Sequence, residues 1–272
     1  MKSHEFMLTV EAGKRLIARG LLADAQFKRA LYEKKVLIVA GTTNGYVAEA
    51  ALHALGETHP FDRQAFRRGV TVAPGAKLPE GTMEGDLLID HGRAVFGRTV
   101  FEVAPELSAG DVILKGANAV NLPLGEAGVL IGHPQGGTMI PITAAAIGRR
   151  VQVIVPVGLE KRVDAPIARL SALCANEEGA GPRLAPLAGR VFTELDAIAA
   201  LTGARAELIA AGGVLGAEGC AYLLVTGTDE QLAAPRSTAC TSPRTRWCTK
   251  TASRACEGTT AYPIPSCRWR LF

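Results

Sequence analysis

Aromatic side chains make up only 5% of the 272 residues, while the hydrophobic total is 48% and is carried by Ala, Val, Leu and Ile. A core of small branched aliphatics is the usual composition of a parallel sheet covered by helices. Also missing is any apolar stretch of the roughly 20 residues needed to cross a bilayer, so no membrane partner is expected. Met1-Lys2-Ser3-His4-Glu5 lacks the charged-then-apolar layout of a signal peptide. A soluble, cytoplasmic protein is the expectation. The six cysteines never form the close C-x₂-C pairs of a zinc site, and no metal is expected.

An excess of one charge is nearly absent too, once position is considered. The formal net charge is +4 with a pI near 8.8. Yet Arg236, Arg244, Arg246, Lys250, Arg254, Arg268 and Arg270 lie from Ala233 onward, against the single acid Glu257, which leaves the preceding body slightly acidic. A nucleic-acid footprint needs a basic face on the folded domain. Here the basicity belongs to the tail, so nucleic acid is not an expected partner.

The chain changes character after Leu232. The last forty residues hold four of the six cysteines (Cys240, Cys248, Cys256, Cys267) and both tryptophans (Trp247, Trp269). They show neither a period near 3.6 nor one of 2, and Asp229-Glu230-Gln231-Leu232 looks like a helix start without an amphipathic continuation. An irregular tail is expected over residues 233–272, either disordered or translated out of frame. The body divides into an α/β ligand-binding domain, 1–163, and a small α+β unit, 164–232.

Within the body, Thr9–Arg19 and Asp24–Lys35 read as helices, with Gly20 at the C′ position of the first and Asp24 as N-cap of the second. That cap puts Phe27, Ala30 and Leu31 on one face. Val36–Ala40, Val70–Val72, Leu87–Ile89, Val112–Leu114, Val129–Ile131 and Val151–Val155 read as strands. Thr138–Ile147 is a helix with Pro141 in its first turn. Asp164 can cap a helix that points Ile167, Leu170 and Cys174 inward. A helix over Thr193–Leu201 then precedes strands Ala206–Ala211 and Ala221–Thr226, joined at Gly212-Gly213.

Four loops leave predicted strands at their carboxyl ends. Gly41-Thr42-Thr43-Asn44-Gly45 joins a strand to a helix, an arrangement that binds phosphate through free N–H groups and the helix dipole. It is neither a Walker loop nor a G-x-G-x-x-G turn, and a tight turn with Thr43 or Asn44 as N-cap would use the same residues. Lys115-Gly116-Ala117-Asn118-Ala119-Val120-Asn121 offers a lysine and two carboxamides, although asparagines often satisfy turn backbone instead. Gly136, Gly137 and Thr138 form a potential anion nest behind His133, more a bystander than an acid or base. Lys161 and Arg162 could close over a phosphate. In an open parallel sheet such ends share one crevice.

The order Val36–Thr43, Asp111–Val120, Gly137-Thr138 heading a helix, then Val151–Lys161 resembles the sugar-phosphate isomerase and CoA-transferase superfamily. That group includes ribose-5-phosphate isomerase, glucosamine-6-phosphate deaminase and the initiation-factor-2B and methylthioribose-phosphate isomerase branch. The resemblance spans roughly 36–163. It implies a three-layer α/β fold, a mostly parallel sheet with helices on both faces, and a ligand at the strand ends. Isomerase members carry an aspartate where this chain has Asn118, and an amide has no basicity with which to take a proton from a sugar carbon. Glu126-Ala127-Gly128 is similar to the E-x-G pattern in which a transferase glutamate forms an acyl-CoA thioester.

Two functions follow as expectations. One is an enzyme on a sugar phosphate, nucleotide or CoA ester, isomerase-like or CoA/acyl-transferase-like. Gly41, Thr42, Thr43, Asn44, Gly45, Asn121, Gly136, Gly137, Thr138 and Lys161 would hold the ligand, while Glu126, Lys115 and Asn118 would face the reacting atoms. The other is a non-catalytic metabolite-binding or regulatory protein on the same scaffold. No cofactor is expected, CoA entering only as substrate, and a homo-oligomer is.

Overall fold

Local signals start and stop most elements. The computed structural model describes residues 1–68, 81, 83–179 and 181–233. The expected strand at 70–72 and all but the first residue of the expected tail lie outside the described residues. β1 (Lys2–Leu8) gives way to α1 (Val10–Ala23) at Thr9, whose side chain accepts the Ala12 N–H at 3.3 Å. Asp24 alone separates α1 from α2 (Ala25–Glu33), and its carboxylate accepts the Phe27 N–H at 2.9 Å. It is the N-cap that its position led us to expect, with Phe27, Ala30 and Leu31 buried on one face. β2 (Lys35–Ile38) and α3 (Thr42–Ala54) follow, then the hairpin β3 (Asp86–Asp90) and β4 (Arg93–Arg98).

The order continues with the single turn α4 (Val100–Val103), β5 (Val112–Leu114), the hairpin of β6 (Ala119–Asn121) and β7 (Glu126–Ile131), then α5 (Met139–Arg149) and β8 (Gln152–Pro156). Next come α6 (Ile167–Cys174), β9 (Arg183–Leu187), β10 (Arg190–Phe192), α7 (Glu194–Thr202) and the hairpin of β11 (Arg205–Ala211) and β12 (Ala221–Gly227). A helical turn begins at Asp229 and runs to Ala233. Among the described residues no helix is long and apolar enough to cross a membrane.

Six strands form the main sheet in the order β10-β8-β5-β2-β3-β4. The first four are parallel and the last two add antiparallel, so the α/β class stands. β2 is apolar without alternation because both its faces are covered. Val36 and Ile38 enter a core with residues of α1, α2, α3 and α7, whereas Leu37 and Val39 enter a second core with residues of α4 and α5. Each such fully buried side chain contributes about 1.5–3 kcal/mol.

Two smaller antiparallel sheets, β1-β12-β11 and β6-β7-β9, stand beside it. Two expectations are corrected here, one by these sheets and one by helix packing. Val129–Ile131 does not extend the parallel sheet, because a tight turn folds β7 back on β6. Gly125 takes φ +63° there, its N–H bonds to Leu122 O at 3.2 Å, and the Asn121 side chain accepts the Leu124 N–H at 3.1 Å. Gly20 does not end α1 either. A Cβ at Gly20 would meet the Cα and Cβ of Ala197 at 2.4 Å, so this glycine lets α7 cross against a continuing helix. Residues 164–232 share sheets with the rest of the chain: β10 edges the main sheet, β9 pairs with β7, and β12 pairs with β1. In α6 Ile167 is buried and Leu170 partly so, but Cys174 is exposed rather than inward because the helix stops there.

Candidate functional site

The carboxyl ends of β2, β5 and β8 meet at one edge of the main sheet. Sequence reasoning expected a loop over Gly41–Gly45, but the helix starts earlier, at Thr42, and those residues form its first turn. The first intrahelical bond is Gly45 N–H to Gly41 O at 2.7 Å, which leaves the N–H groups of Thr42, Thr43 and Asn44 without helical acceptors. Thr42 is exposed; Thr43 and Asn44 are buried. The Asn44 amide donates to Val39 O at 2.8 Å and Leu114 O at 3.0 Å, tying the ends of β2 and β5 to α3. Thr43 Oγ1 and Asn44 Oδ1 are buried with no partner among the described residues. Gly45 serves packing, since a Cβ there would lie 2.9 Å from Arg63 Cγ and 3.1 Å from its carbonyl oxygen.

Asp86 organises this edge, and sequence reasoning gave it no role. One carboxylate oxygen accepts the Ala40 N–H at 2.8 Å and the Arg68 guanidinium at 3.1 Å; the other accepts the Val100 N–H at 2.7 Å. A carboxylate heading the apolar run Leu87-Leu88-Ile89 was the available signal.

Lys115 follows β5 directly, and Lys161 closes a 3₁₀ turn (Leu159–Lys161) after β8. Both are half-buried, and neither forms an ion pair among the described residues. Burial holds the Lys115 pKa below the ordinary lysine value; Asp86 opposes this, while Lys161 and Arg68 add to it. Lys161 is lowered in the same way by burial and by Lys14, against Glu160 and Glu194. Two desolvated lysines therefore follow the adjacent strands β5 and β8, each opposed by other cations and only partly compensated by Asp86 or Glu160.

Glu194, the first residue of α7, is 3% exposed and accepts the Leu159 N–H at 3.1 Å. Burial and the neighbouring Glu160 push its pKa up to about 8, although its own N–H, that of Leu159 and Lys161 pull the other way. Near neutral pH this carboxyl is mostly protonated, so Glu194 does little to neutralise Lys161. Its Oε1 would sit 2.3 Å from a Cβ at Gly13, which explains a glycine inside α1. The signal for Glu194 was its place after Thr193 at a helix start. Lys14 carried none.

The other predicted site residues have structural tasks. Asn118 lies at the β6–β7 hairpin, where its side chain accepts the Leu130 N–H at 3.0 Å and its backbone N–H donates to Gly128 O at 2.8 Å. Asn121 is buried in the hairpin turn and donates to Asp164 O at 3.1 Å. The Glu126 carboxylate accepts the Ile167 N–H at 2.8 Å and so caps α6. Gly136 and Gly137 take φ +76° and +53° before Thr138 at the start of α5. That loop leaves β7 and not a strand of the main sheet; its His133 is exposed and accepts the Gln135 N–H at 3.2 Å.

A depression of about 200 Å³ lies near Glu160, lined also by Arg162, Glu218 and Cys220. Its two acids disfavour an anion, which suits the lysine-rich strand ends better. Among the described residues no three His, Cys, Asp or Glu side chains gather as a metal ion would require. Comparison with protein-family models, curated proteins and solved structures finds no match to this chain.

Proposed function

We propose that the residues at the carboxyl ends of β2, β5 and β8 bind a phosphorylated small metabolite: a sugar phosphate, a nucleotide or a CoA ester. The observation that carries this reading is the pair of half-buried lysines, Lys115 and Lys161, which form no ion pair among the described residues; Lys115 follows Leu114, whose carbonyl accepts the Asn44 amide in the first turn of α3. Burying positive charge is costly unless something compensates it, and an anion against free helix N–H groups does so. The cores on the two faces of β2 suit the three-layer arrangement of the sugar-phosphate isomerase and CoA-transferase superfamily, and Gly41–Asn44 and Lys161 hold the phosphate on this reading. A homo-oligomer belongs to the same reading.

A second function, a non-catalytic metabolite-binding or regulatory protein, is favoured by one contact. The Glu126 carboxylate is occupied by the Ile167 N–H, so the expected transferase nucleophile has another task. A thermal-shift screen with ribose phosphates, nucleotides and CoA esters tests the shared premise. A ligand at 100 times its Kd stabilises by about 2.7 kcal/mol, so at least one phosphorylated compound should raise the Tm and its dephosphorylated form should not. No shift with any of them contradicts the proposal.

A further inference from the structure

We propose that Lys115 is a nucleophilic amine that forms an imine with the carbonyl carbon of a phosphorylated aldehyde or ketone held at the strand ends. The inference rests on the phosphate-binding reading and adds the reacting group and the substrate class.

Position supports it. Lys115 donates its backbone N–H to Ile154 O of β8 at 3.1 Å, and the preceding Leu114 carbonyl accepts the Asn44 amide at 3.0 Å. The lysine thus begins one residue from the contact that holds the first turn of α3, where the buried Thr43 hydroxyl lacks a partner among the described residues. A phosphate on those helix N–H groups would keep the rest of a small molecule near the amine.

Charge supports it too. Burial is the main influence against a proton on Lys115, Lys161 and Arg68 add to it, and the acid that favours one, Asp86, already accepts hydrogen bonds from Ala40, Val100 and Arg68. An ordinary lysine side chain in water is almost wholly protonated at neutral pH and offers no lone pair. A lysine desolvated beside other cations keeps more of the neutral form, which is how amine nucleophiles are activated. Glu126 and Asn118 are engaged elsewhere, which leaves Lys115 as the reactive group among the three expected there.

The chemistry balances without a further reagent. The Nζ lone pair attacks the carbonyl carbon, a C–N bond forms, and the π pair moves to oxygen, which takes a proton released by nitrogen. The resulting carbinolamine loses its hydroxyl and the second nitrogen-borne proton as water. One amine and one carbonyl give one imine and one water, with no change of oxidation state.

Pyridoxal 5′-phosphate carries both an aldehyde and a phosphate and serves as the probe. The folded wild-type chain is mixed with an equimolar amount, reduced with borohydride, digested and mapped by mass spectrometry. Lys115 should carry the reduced adduct roughly tenfold above Lys28, with pyridoxal lacking the phosphate reacting far less and inorganic phosphate protecting. Adducts spread over exposed lysines without enrichment at Lys115 overturn the inference. Lys115→Arg should lose the adduct yet still bind pyridoxine 5′-phosphate, which has no aldehyde; the wild-type map decides the matter even if that variant misfolds. Binding of pyridoxine 5′-phosphate with Lys115 unlabelled would sink the imine and spare the phosphate site. Equal labelling of Lys115 with and without the phosphate would retain the amine and remove the phosphate site.

Discussion

Glu194 shows most clearly what a single residue does in this fold. Its carboxyl is wedged between Gly13 of α1 and the Leu159 N–H, and its pKa is raised from 4.5 to about 8. The folded chain keeps the proton over a range in which the unfolded chain has lost it. The stability this group contributes is complete below about pH 4.5 and is lost as pH rises through about 8. Glu194→Gln keeps the shape and cannot ionise. It should match the wild type near pH 4 and exceed it near pH 9, by at most about 5 kcal/mol. Urea unfolding across that range measures it, and parallel stability curves for the two proteins would contradict the assignment. Its place after Thr193 marks a helix start but not a buried acid: Gly13, Glu160 and Glu194 lie on three separate segments, and they meet only once α1 and α7 cross.

The first turn of α3 is the element that joins fold to site. Asn44 satisfies two buried carbonyls, Val39 O and Leu114 O, at the ends of neighbouring strands. Asn44→Ala removes the donor to Val39 O, while Leu114 O keeps the Val39 N–H at 3.0 Å, and a buried polar group left unpaired costs about 1–3 kcal/mol. A loss of that size in urea-unfolding free energy is expected, and a change below about 0.5 kcal/mol would show that water replaces the amide. Much of this element was legible, since an apolar run, a glycine and then polar residues before a helical pattern mark a strand-to-helix connection. The starting residue of the helix was not, because Thr and Asn favour caps over helix interiors, whereas Asn44 sits inside the turn and its side chain reaches the sheet. The β6–β7 hairpin was hidden in a similar way. Val129–Ile131 reads as a buried strand whether its neighbour is parallel or antiparallel, and the turn formed by Asn121, Leu122 and Gly125 decided between the two.

At the scale of the whole molecule, topology assembles the charge. Lys14, Arg68, Lys115 and Lys161 come from four distant segments, and the parallel order β8-β5-β2 brings two of them to adjacent strand ends. Sequence periodicity was sufficient for β2, β3, β5 and β8 of the main sheet, though not for β4 or β10, and for Lys115 and Lys161 as residues that follow strands. Lys14 and Arg68 lacked a signal, and the local signals at Asp86 and Glu194 gave no role, because the meaning of all four depends on which elements are neighbours. The same topology moved the Gly136–Thr138 loop and Glu126 to the separate β6-β7-β9 sheet and into turns and caps.

The most direct test of the central claim is isothermal titration of the wild type, Lys161→Gln and Lys115→Gln with the best phosphorylated ligand and its dephosphorylated counterpart. A charge-assisted contact contributes about 1.5–3 kcal/mol, so the wild type should bind the phosphorylated form at least tenfold more tightly, and folded Lys161→Gln should lose most of that preference while Lys115→Gln loses less of it. Equal affinity for the two forms, or a preference undiminished in both variants, would contradict a phosphate site at these strand ends.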